Sequence, residues 1–225
     1  MTEQRQMMKV PLIQLASADS IEEARGVLDV CSTRFQVDHV NWSAFPYKPL
    51  VSAQIAHSKE YIWILADIHE NHIRGHELED HGHVWEDSCF EFFLQLPNQS
   101  RYVNIETNCL GVSLATIHVN RNECTLFSEK DMEQFIRVSS QEKCYTDHYS
   151  HHSMLHWQLL LGIPKKVLMK HFYGSDDAFP TSFRANFYKC GDKTILPHFL
   201  SWSPIDLKKP DFHVPAFFGD IVLEE

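Results

Sequence analysis

Apolar and polar residues alternate along two neighbouring segments near the middle of the chain. Every second position is apolar in residues 90–96, and the alternation resumes in residues 103–107 after the polar break at residues 97–100. Because successive side chains of a strand point to opposite faces of a sheet, this period of two predicts a β-hairpin within residues 87–111. One face then enters a core. The other face carries two carboxylates and two amides: Glu91, Asn104, Glu106 and Asn108.

A second polar ladder follows in residues 182–189, where apolar positions alternate with Arg184, Asn186 and Tyr188. Each ladder has two interpretations. It forms either an ordinary solvated face of a sheet or a surface that pairs with polar groups of a ligand, and alternation alone leaves both open. Alternation also leaves open whether the two ladders share one sheet.

The rest of the pattern predicts many short strands and few helices. Ser20 stands three residues before Glu23, which is the capping-box spacing at a helix start. Pro164 suits the first position of a second short helix. The predicted fold class is therefore all-β, an antiparallel β-sandwich with one or two short helices. The further strands are predicted at residues 51–56, 61–69, 112–119, 135–139, 154–163, 182–189 and 218–223, and residues 61–69 are apolar on both faces, as in a central strand.

Length and charge narrow the choice of function. A chain of 225 residues commonly forms one all-β domain, so we expect a single domain over residues 1–225, with residues 1–35 as an N-terminal helical extension. The net charge of −10 would repel phosphate backbones, which argues against nucleic acid as a partner. No stretch approaches the roughly 20 apolar residues that a membrane helix needs. Residues 1–14 lack a signal-peptide core, so the chain as given is expected to be cytoplasmic, or secreted if a leader was removed.

The metal-ligating residues form no recognised motif. Six cysteines are scattered without CxxC pairs, which is typical of reduced thiols in a chain that folds without disulfides. Histidines are numerous, with one group in residues 69–83 among acidic residues and another in residues 148–156. The HExxH pattern is absent. The first group fits either a divalent ion or a solvated acidic loop.

The polar ladders offer the mixture of groups that a sugar requires. Carboxylates, amides and a guanidinium can bind hydroxyl groups, each of which both donates and accepts a hydrogen bond. The apolar C–H faces of a sugar ring stack on aromatic side chains. Candidate platforms are Trp85, Tyr188, Trp202 and Phe212, whereas Trp42, Trp63 and Trp157 are expected in the core.

The order and spacing of several blocks resemble carbohydrate-binding module family 9, within the broader DOMON-like β-sandwiches. These blocks are residues 85–91 before a strand, the ladder in residues 102–106, and residues 200–203 followed by Phe212 and residues 218–220. The resemblance covers roughly residues 37–223. The family usually accompanies secreted polysaccharide-degrading enzymes, so the resemblance implies a place in polysaccharide metabolism.

The resemblance also implies a site. Two aromatic side chains of the family clamp a terminal sugar ring, and by position these are Trp85 and Phe212; the latter stands where the family has a tryptophan. Members of the family bind structural calcium, but no dedicated calcium loop is recognisable here, so no residue is assigned to it. The implied partner is a mono- or oligosaccharide. The polar residues implied by position or by strand alternation are Glu91, Asn104, Glu106, Arg184, Asn186 and Tyr188.

Two other functions fit the same fold. An enzyme would use Glu91 and Glu106 as an acid/base pair beside Arg184 or His198, because paired carboxylates perform glycoside chemistry. A haem-binding electron carrier would ligate its iron with methionine and histidine, although no CxxCH attachment site is present.

Overall fold

Two β-sheets enclose the main core in the computed structural model, which describes residues 5–17, 20–143 and 154–225. Their inner faces meet through aromatic and branched aliphatic side chains. In chain order the elements are β1 (Met7–Val10), α1 (Ile21–Val30), β2 (Thr33–Gln36), β3 (His39–Val40), β4 (Leu50–His57), β5 (Tyr61–Glu70), β6 (Cys89–Gln95), β7 (Tyr102–Asn108), β8 (Ser113–Asn120), β9 (Glu123–Leu126), α2 (Glu129–Met132), β10 (Ile136–Lys143), β11 (Leu155–Pro164), α3 (Lys165–Tyr173), β12 (Ser182–Cys190), β13 (Phe199–Ser201) and β14 (Gly219–Leu223).

The strand order confirms the predicted all-β sandwich. Sheet A has the order β1-β14-β12-β6-β7-β8-β9, and β13 joins β12 to β3 at its side. Sheet B has the order β10-β11-β5-β4-β2, so β5 is central, as its two apolar faces predicted. The pairings are antiparallel except that of β1 with β14, which is parallel. Strand β1 has only four residues, too short a pattern to indicate its partner or direction.

The inner faces of the sheets supply the main core. Phe90, Phe92 and Phe187 of sheet A are fully buried, as are Ile64 and Ile68 of sheet B. Complete burial of one such side chain contributes about 1.5–3 kcal/mol. These positions alternate along each strand, so the same period of two that fills the core turns the intervening side chains of β6, β7 and β12 to the outer face of sheet A.

Three short α-helices accompany the sheets in the described residues, whereas the sequence pattern predicted one or two helices. Helix α1 begins after Ser20, whose side chain accepts a hydrogen bond from the backbone N–H of Glu23, and it buries Leu28 against sheet B. Pro164 is the N-cap residue of α3, one position before the first helical position that was predicted for it, and its side chain makes no capping hydrogen bond. Helix α2 has only four residues, too few to show the 3.6-residue period by which a helix is recognised in a sequence. None of the helices in the described part of the chain is long and apolar enough to cross a membrane.

A fully buried ion pair crosses from sheet A to sheet B. Lys189 of β12 points into the core, where its Nζ lies 3.2 Å from a carboxylate oxygen of Glu70 on β5. The same Nζ donates to the backbone carbonyl of Cys190 at 2.8 Å and to Nε2 of His198 at 2.7 Å. The other oxygen of Glu70 accepts from the indole N–H of Trp157. Burial and the Lys189 charge lower the pKa of His198 to about 2, so His198 is a neutral acceptor.

Candidate functional site

A cavity of about 510 Å³ lies over the outer face of sheet A. Its floor comes from β6, β7 and β8, and its walls come from the segments that follow β5 and β13. Ligand pockets in proteins commonly measure about 300–1,000 Å³, so the cavity has the size of a small-molecule site. Five of the predicted site residues line it: Trp85, Glu91, Asn104, Glu106 and Phe212.

The floor is a buried polar surface. Glu91 on β6 and Glu106 on β7 are register partners, and only 3% and 4% of their surfaces are exposed. Asn104 donates from Nδ2 to Oε1 of Glu106 at 2.6 Å, and the Thr116 hydroxyl donates to Oδ1 of Asn104. Oε2 of Glu106 is buried without a hydrogen-bond partner among the described residues. A buried polar atom without a partner is costly, and a ligand that reaches it would remove this cost.

Burial also changes the protonation of the floor. It raises the pKa of Glu91 to about 8, against the weaker opposing effect of the thiol of Cys190, which donates to Glu91 at 2.9 Å. Burial and the nearby charge of Glu91 raise the pKa of Glu106 well above its usual value. Asp192 at the edge has its pKa raised to about 6, again mainly by burial. Burial therefore favours the protonated form of both glutamates, and a protonated carboxyl group can both donate and accept a hydrogen bond.

This protonation predicts a pH dependence of stability. The folded chain keeps a proton on Glu91 up to about pH 8, whereas the unfolded chain loses it near the ordinary value of 4.5. Between these values the folded state binds more protons, so the free energy of unfolding falls as the pH rises. Glu91→Gln removes this pH-dependent contribution. We therefore expect the free energy of unfolding of the variant, relative to that of the wild type, to rise by on the order of a few kcal/mol between about pH 5 and about pH 8.

Urea denaturation of both proteins across this window measures the effect. Glu123→Gln, at an exposed position on β9, is the matched control and should follow the wild type. A constant stability difference between Glu91→Gln and the wild type across the window would show that Glu91 titrates normally.

Aromatic side chains form the walls. Trp85 lies in a short 3₁₀ helix (Val84–Glu86), and its backbone carbonyl accepts from the N–H of Asp192, which fixes it beside the end of β12. Phe212 is stacked on Tyr188, with ring centroids 4.1 Å apart and planes 8° from parallel. The Tyr188 hydroxyl donates to the backbone carbonyl of Phe212 at 3.2 Å. Phe199 contributes a third aromatic edge to the lining, which sequence reasoning missed.

The other predicted site residues do not line the cavity. Arg184 donates to three backbone carbonyls, including those of Pro215 and Phe218, and Asn186 exchanges hydrogen bonds with the backbone of Ser203. Tyr188 is fully buried beneath Phe212. The two ladders do share one face, but residues 203–218 cover the half that carries these three side chains. Alternation predicted their face and could not predict this cover.

Two further residues considered from the sequence also lie elsewhere. Trp202, a candidate platform, packs in the main core against Phe187. His198, a candidate partner for an acid/base pair, lies fully buried beside Lys189 on the inner side of sheet A. Neither is among the residues that line the cavity.

A rim of histidines and one ion pair surrounds part of the cavity. Nδ1 of His213 lies 3.1 Å from the hydroxyl of Tyr102, and the rings of His118 and His213 are 4.8 Å apart. Burial lowers the pKa of His213 to about 4 and also lowers that of His118. Arg121 pairs with Asp211 at 2.6 Å. His118, His213 and the Arg121–Asp211 pair together therefore add almost no net charge to the rim at pH 7. The only sequence signal for His213 is its position next to Phe212.

The acidic loop between β5 and β6 does not fit the calcium ion that the family resemblance implied. Asp87 is buried, and its Oδ2 accepts from the backbone N–H of His76 and from Asn108. Its Oδ1 lies 3.2 Å from Nε of Arg74. Asp80 is likewise paired with an arginine. Calcium requires six to eight oxygen ligands. Oδ2 of Asp87 and Oδ1 of Asp80 already accept from donors of the protein, and Oδ1 of Asp87, which has no hydrogen-bond partner among the described residues, faces the guanidinium of Arg74, so the two carboxylates do not supply such a set.

Comparisons with known proteins cover nearly the whole chain. The model of carbohydrate-binding family 9 matches residues 24–223. A candidate carbohydrate-binding protein from Bacteroides uniformis has 34% identity and a TM-score of 0.86, over 97% of this chain and 99% of that one. The search of curated proteins finds no match.

Two solved complexes of a family 9 carbohydrate-binding module from Caldicellulosiruptor kristjanssonii, one with glucose and one with cellotriose, are each 11% identical. Their TM-scores are 0.57 and 0.56. Each covers 97% of this chain, and the match spans 96% and 94% of the module. At this identity the likeness shows the fold alone.

Proposed function

Because the chain belongs to carbohydrate-binding family 9, we propose that its cavity binds a mono- or oligosaccharide and leaves the sugar chemically unchanged. The observation that carries this proposal is the cavity floor: two paired, buried glutamates whose protonated forms are favoured by burial, one with an oxygen that has no hydrogen-bond partner among the described residues. Such groups match hydroxyls, which need a donor and an acceptor at the same place.

The aromatic walls would bind the faces of the sugar ring. Trp85 and Phe212 line the same cavity, and each offers an apolar surface to the C–H groups of a ring. The stack of Phe212 on Tyr188 covers one face of Phe212, and only 9% of the surface of this residue is exposed, so it offers the sugar a small contact. We propose that the ring lies between Trp85 and Phe212, with its hydroxyls toward Glu91, Asn104 and Glu106.

The expected affinity is modest. An aromatic contact contributes about 0.5–1.5 kcal/mol beyond the area it buries, and a hydrogen bond contributes a net of about 0.5–1.5 kcal/mol. Two aromatic contacts and a few hydrogen bonds, less the cost of ordering, correspond to a Kd between about 1 mM and about 1 μM. A family 9 module is solved with glucose and with cellotriose, so these two sugars are the first probes.

Titration calorimetry with glucose and cellotriose tests the proposal. We expect saturable binding of one sugar per chain, with the sugar recovered unchanged. Glu106→Ala should lose about 1–3 kcal/mol of binding free energy, because Asn104 and the ligand each lose a partner. Glu106→Gln should lose less, since an amide resembles the protonated carboxyl group. The matched control is Gln95→Ala, on the same face of sheet A but outside the cavity.

Three outcomes would contradict the proposal. A cleaved or altered sugar would assign the pair of Glu91 and Glu106 to catalysis instead. Equal affinities of Glu106→Ala and the wild type would place the sugar elsewhere on the surface. An absorbance band of haem in the purified protein, with no response to sugars, would favour the electron-carrier function.

A further inference from the structure

A second group of polar side chains lies on the outer face of sheet B, which is the opposite side of the sandwich from the sugar cavity. Asp67 and His69 are two positions apart on β5, and both point away from the main core. His156 on β11 is the register partner of His69, and Gln158 is the register partner of Asp67. The four side chains thus occupy adjacent positions on two paired strands, which hold them with little backbone freedom.

Both histidines of this group face the carboxylate of Asp67. Nε2 of His69 lies 3.0 Å from Oδ1 of Asp67, and Nε2 of His156 lies 3.0 Å from Oδ2. The two imidazole rings are stacked, with centroids 4.4 Å apart and planes 8° from parallel. One ligand atom from each of Asp67, His69 and His156 lies within 4.8 Å of the other two. About a third of the Asp67 and His69 side-chain surface is exposed, so an ion from solvent can reach the group.

Further contacts hold the carboxylate in this orientation. Gln158 donates from Nε2 to Oδ2 of Asp67 at 2.7 Å. The guanidinium of Arg25 on α1 donates in turn to Oε1 of Gln158 at 3.3 Å. Metal-binding carboxylates are commonly fixed by outer hydrogen bonds of this kind, which set the direction of the oxygen lone pairs. The chain of contacts from Arg25 to Asp67 therefore resembles the support of a metal ligand.

We propose that Asp67, His69 and His156 form a binding site for a divalent transition-metal ion, with Zn²⁺ as the ion that suits the ligands. Two imidazole nitrogens and one carboxylate oxygen are a ligand set that zinc accepts, with a fourth position left for water. Calcium and magnesium prefer all-oxygen ligands and would bind less well. The site is independent of the sugar cavity, so glucose affinity should be the same with and without zinc.

Binding requires that Nε2 of each histidine carries no proton. Without a metal, each Nε2 that faces Asp67 is placed to donate its proton to the carboxylate. On binding, the proton of a neutral histidine would move from Nε2 to Nδ1 with none released, whereas a doubly protonated histidine would release one proton to solvent. Zinc affinity is therefore expected to fall as the pH is lowered.

Titration calorimetry of zinc chloride into the full chain tests the site. We expect one zinc ion per chain, at least a tenfold loss of affinity in His69→Ala and in Asp67→Asn, and an unfolding temperature that zinc increases in the wild type but not in these two variants. The matched control is the double variant His151→Ala/His152→Ala, which removes two histidines close to His156 in sequence and should bind zinc as the wild type does.

Each possible result of this experiment either supports the zinc site or overturns it. Failure of the wild type to bind zinc, or equal binding by His69→Ala, would overturn the site. Loss of binding in the double variant alone would assign the ion to residues 151 and 152 instead, which also overturns it. Circular dichroism of each variant shows whether the fold is retained, and Asp67→Asn, which keeps the shape of the side chain, tests the site even where His69→Ala is destabilised.

Discussion

Trp85→Ala is expected to weaken sugar binding by about 30-fold or more. The substitution removes the largest aromatic surface of the cavity, and centrally placed aromatic side chains of this kind commonly contribute about 2 kcal/mol or more to binding. Trp85→Phe should lose less, because it keeps a smaller ring for stacking. Titration calorimetry with cellotriose measures both variants.

The control for this prediction is structural. Trp85 is the middle residue of the 3₁₀ helix and is half-buried, and its backbone, not its indole, bonds to Asp192. The alanine variant should therefore unfold at nearly the same urea concentration as the wild type. Unchanged sugar affinity in a folded Trp85→Ala variant would remove the aromatic clamp from the proposal and leave only the polar floor.

The largest expected effect on stability comes from Lys189→Met. The substitution leaves the carboxylate of Glu70 buried in the core without its cation, and breaking a buried pair in this way costs about 3–5 kcal/mol. It also removes the donor to His198 and the bond from Nζ to the Cys190 carbonyl. Urea denaturation measures the loss of the free energy of unfolding.

A double variant distinguishes the ion pair from simple packing. Lys189→Met combined with Glu70→Gln removes both charges, so it should recover part of the stability lost in the single variant. The amide can still accept from the indole of Trp157. Equal stability of the single and double variants would show that the loss arises from altered packing around Trp157, not from an unpaired charge.

Lys189 is also connected to the proposed sugar site through its two neighbours on β12. It lies on β12 between Tyr188, which supports Phe212, and Cys190, whose thiol donates to Glu91. The buried ion pair joins this strand to β5 of the other sheet. Alternation after Phe187 puts Lys189 on the inner face of β12, but it could not identify the ion pair, because Glu70 lies on a strand far away in the sequence.

The sequence was most informative where a signal is local. Alternation of apolar residues predicted the hairpin of β6 and β7, the strand β12 and the central place of β5. The order of several motifs indicated the family, and they include Trp85, Glu91 and Phe212, which the structure brings to one cavity. The division into one domain with residues 1–35 as an extension stays a prediction.

The sequence by itself determined which side chains share a face, because alternation is a property of each strand alone. Tertiary structure decided which part of a face stays open: residues 203–218 cover Arg184 and Asn186 and leave Glu91 and Glu106 in a cavity. It also joined His69 and His156, members of two separate histidine groups, through the pairing of β5 with β11. Strand register, cover and desolvation depend on contacts between residues far apart in the chain, and a local pattern carries no information about them.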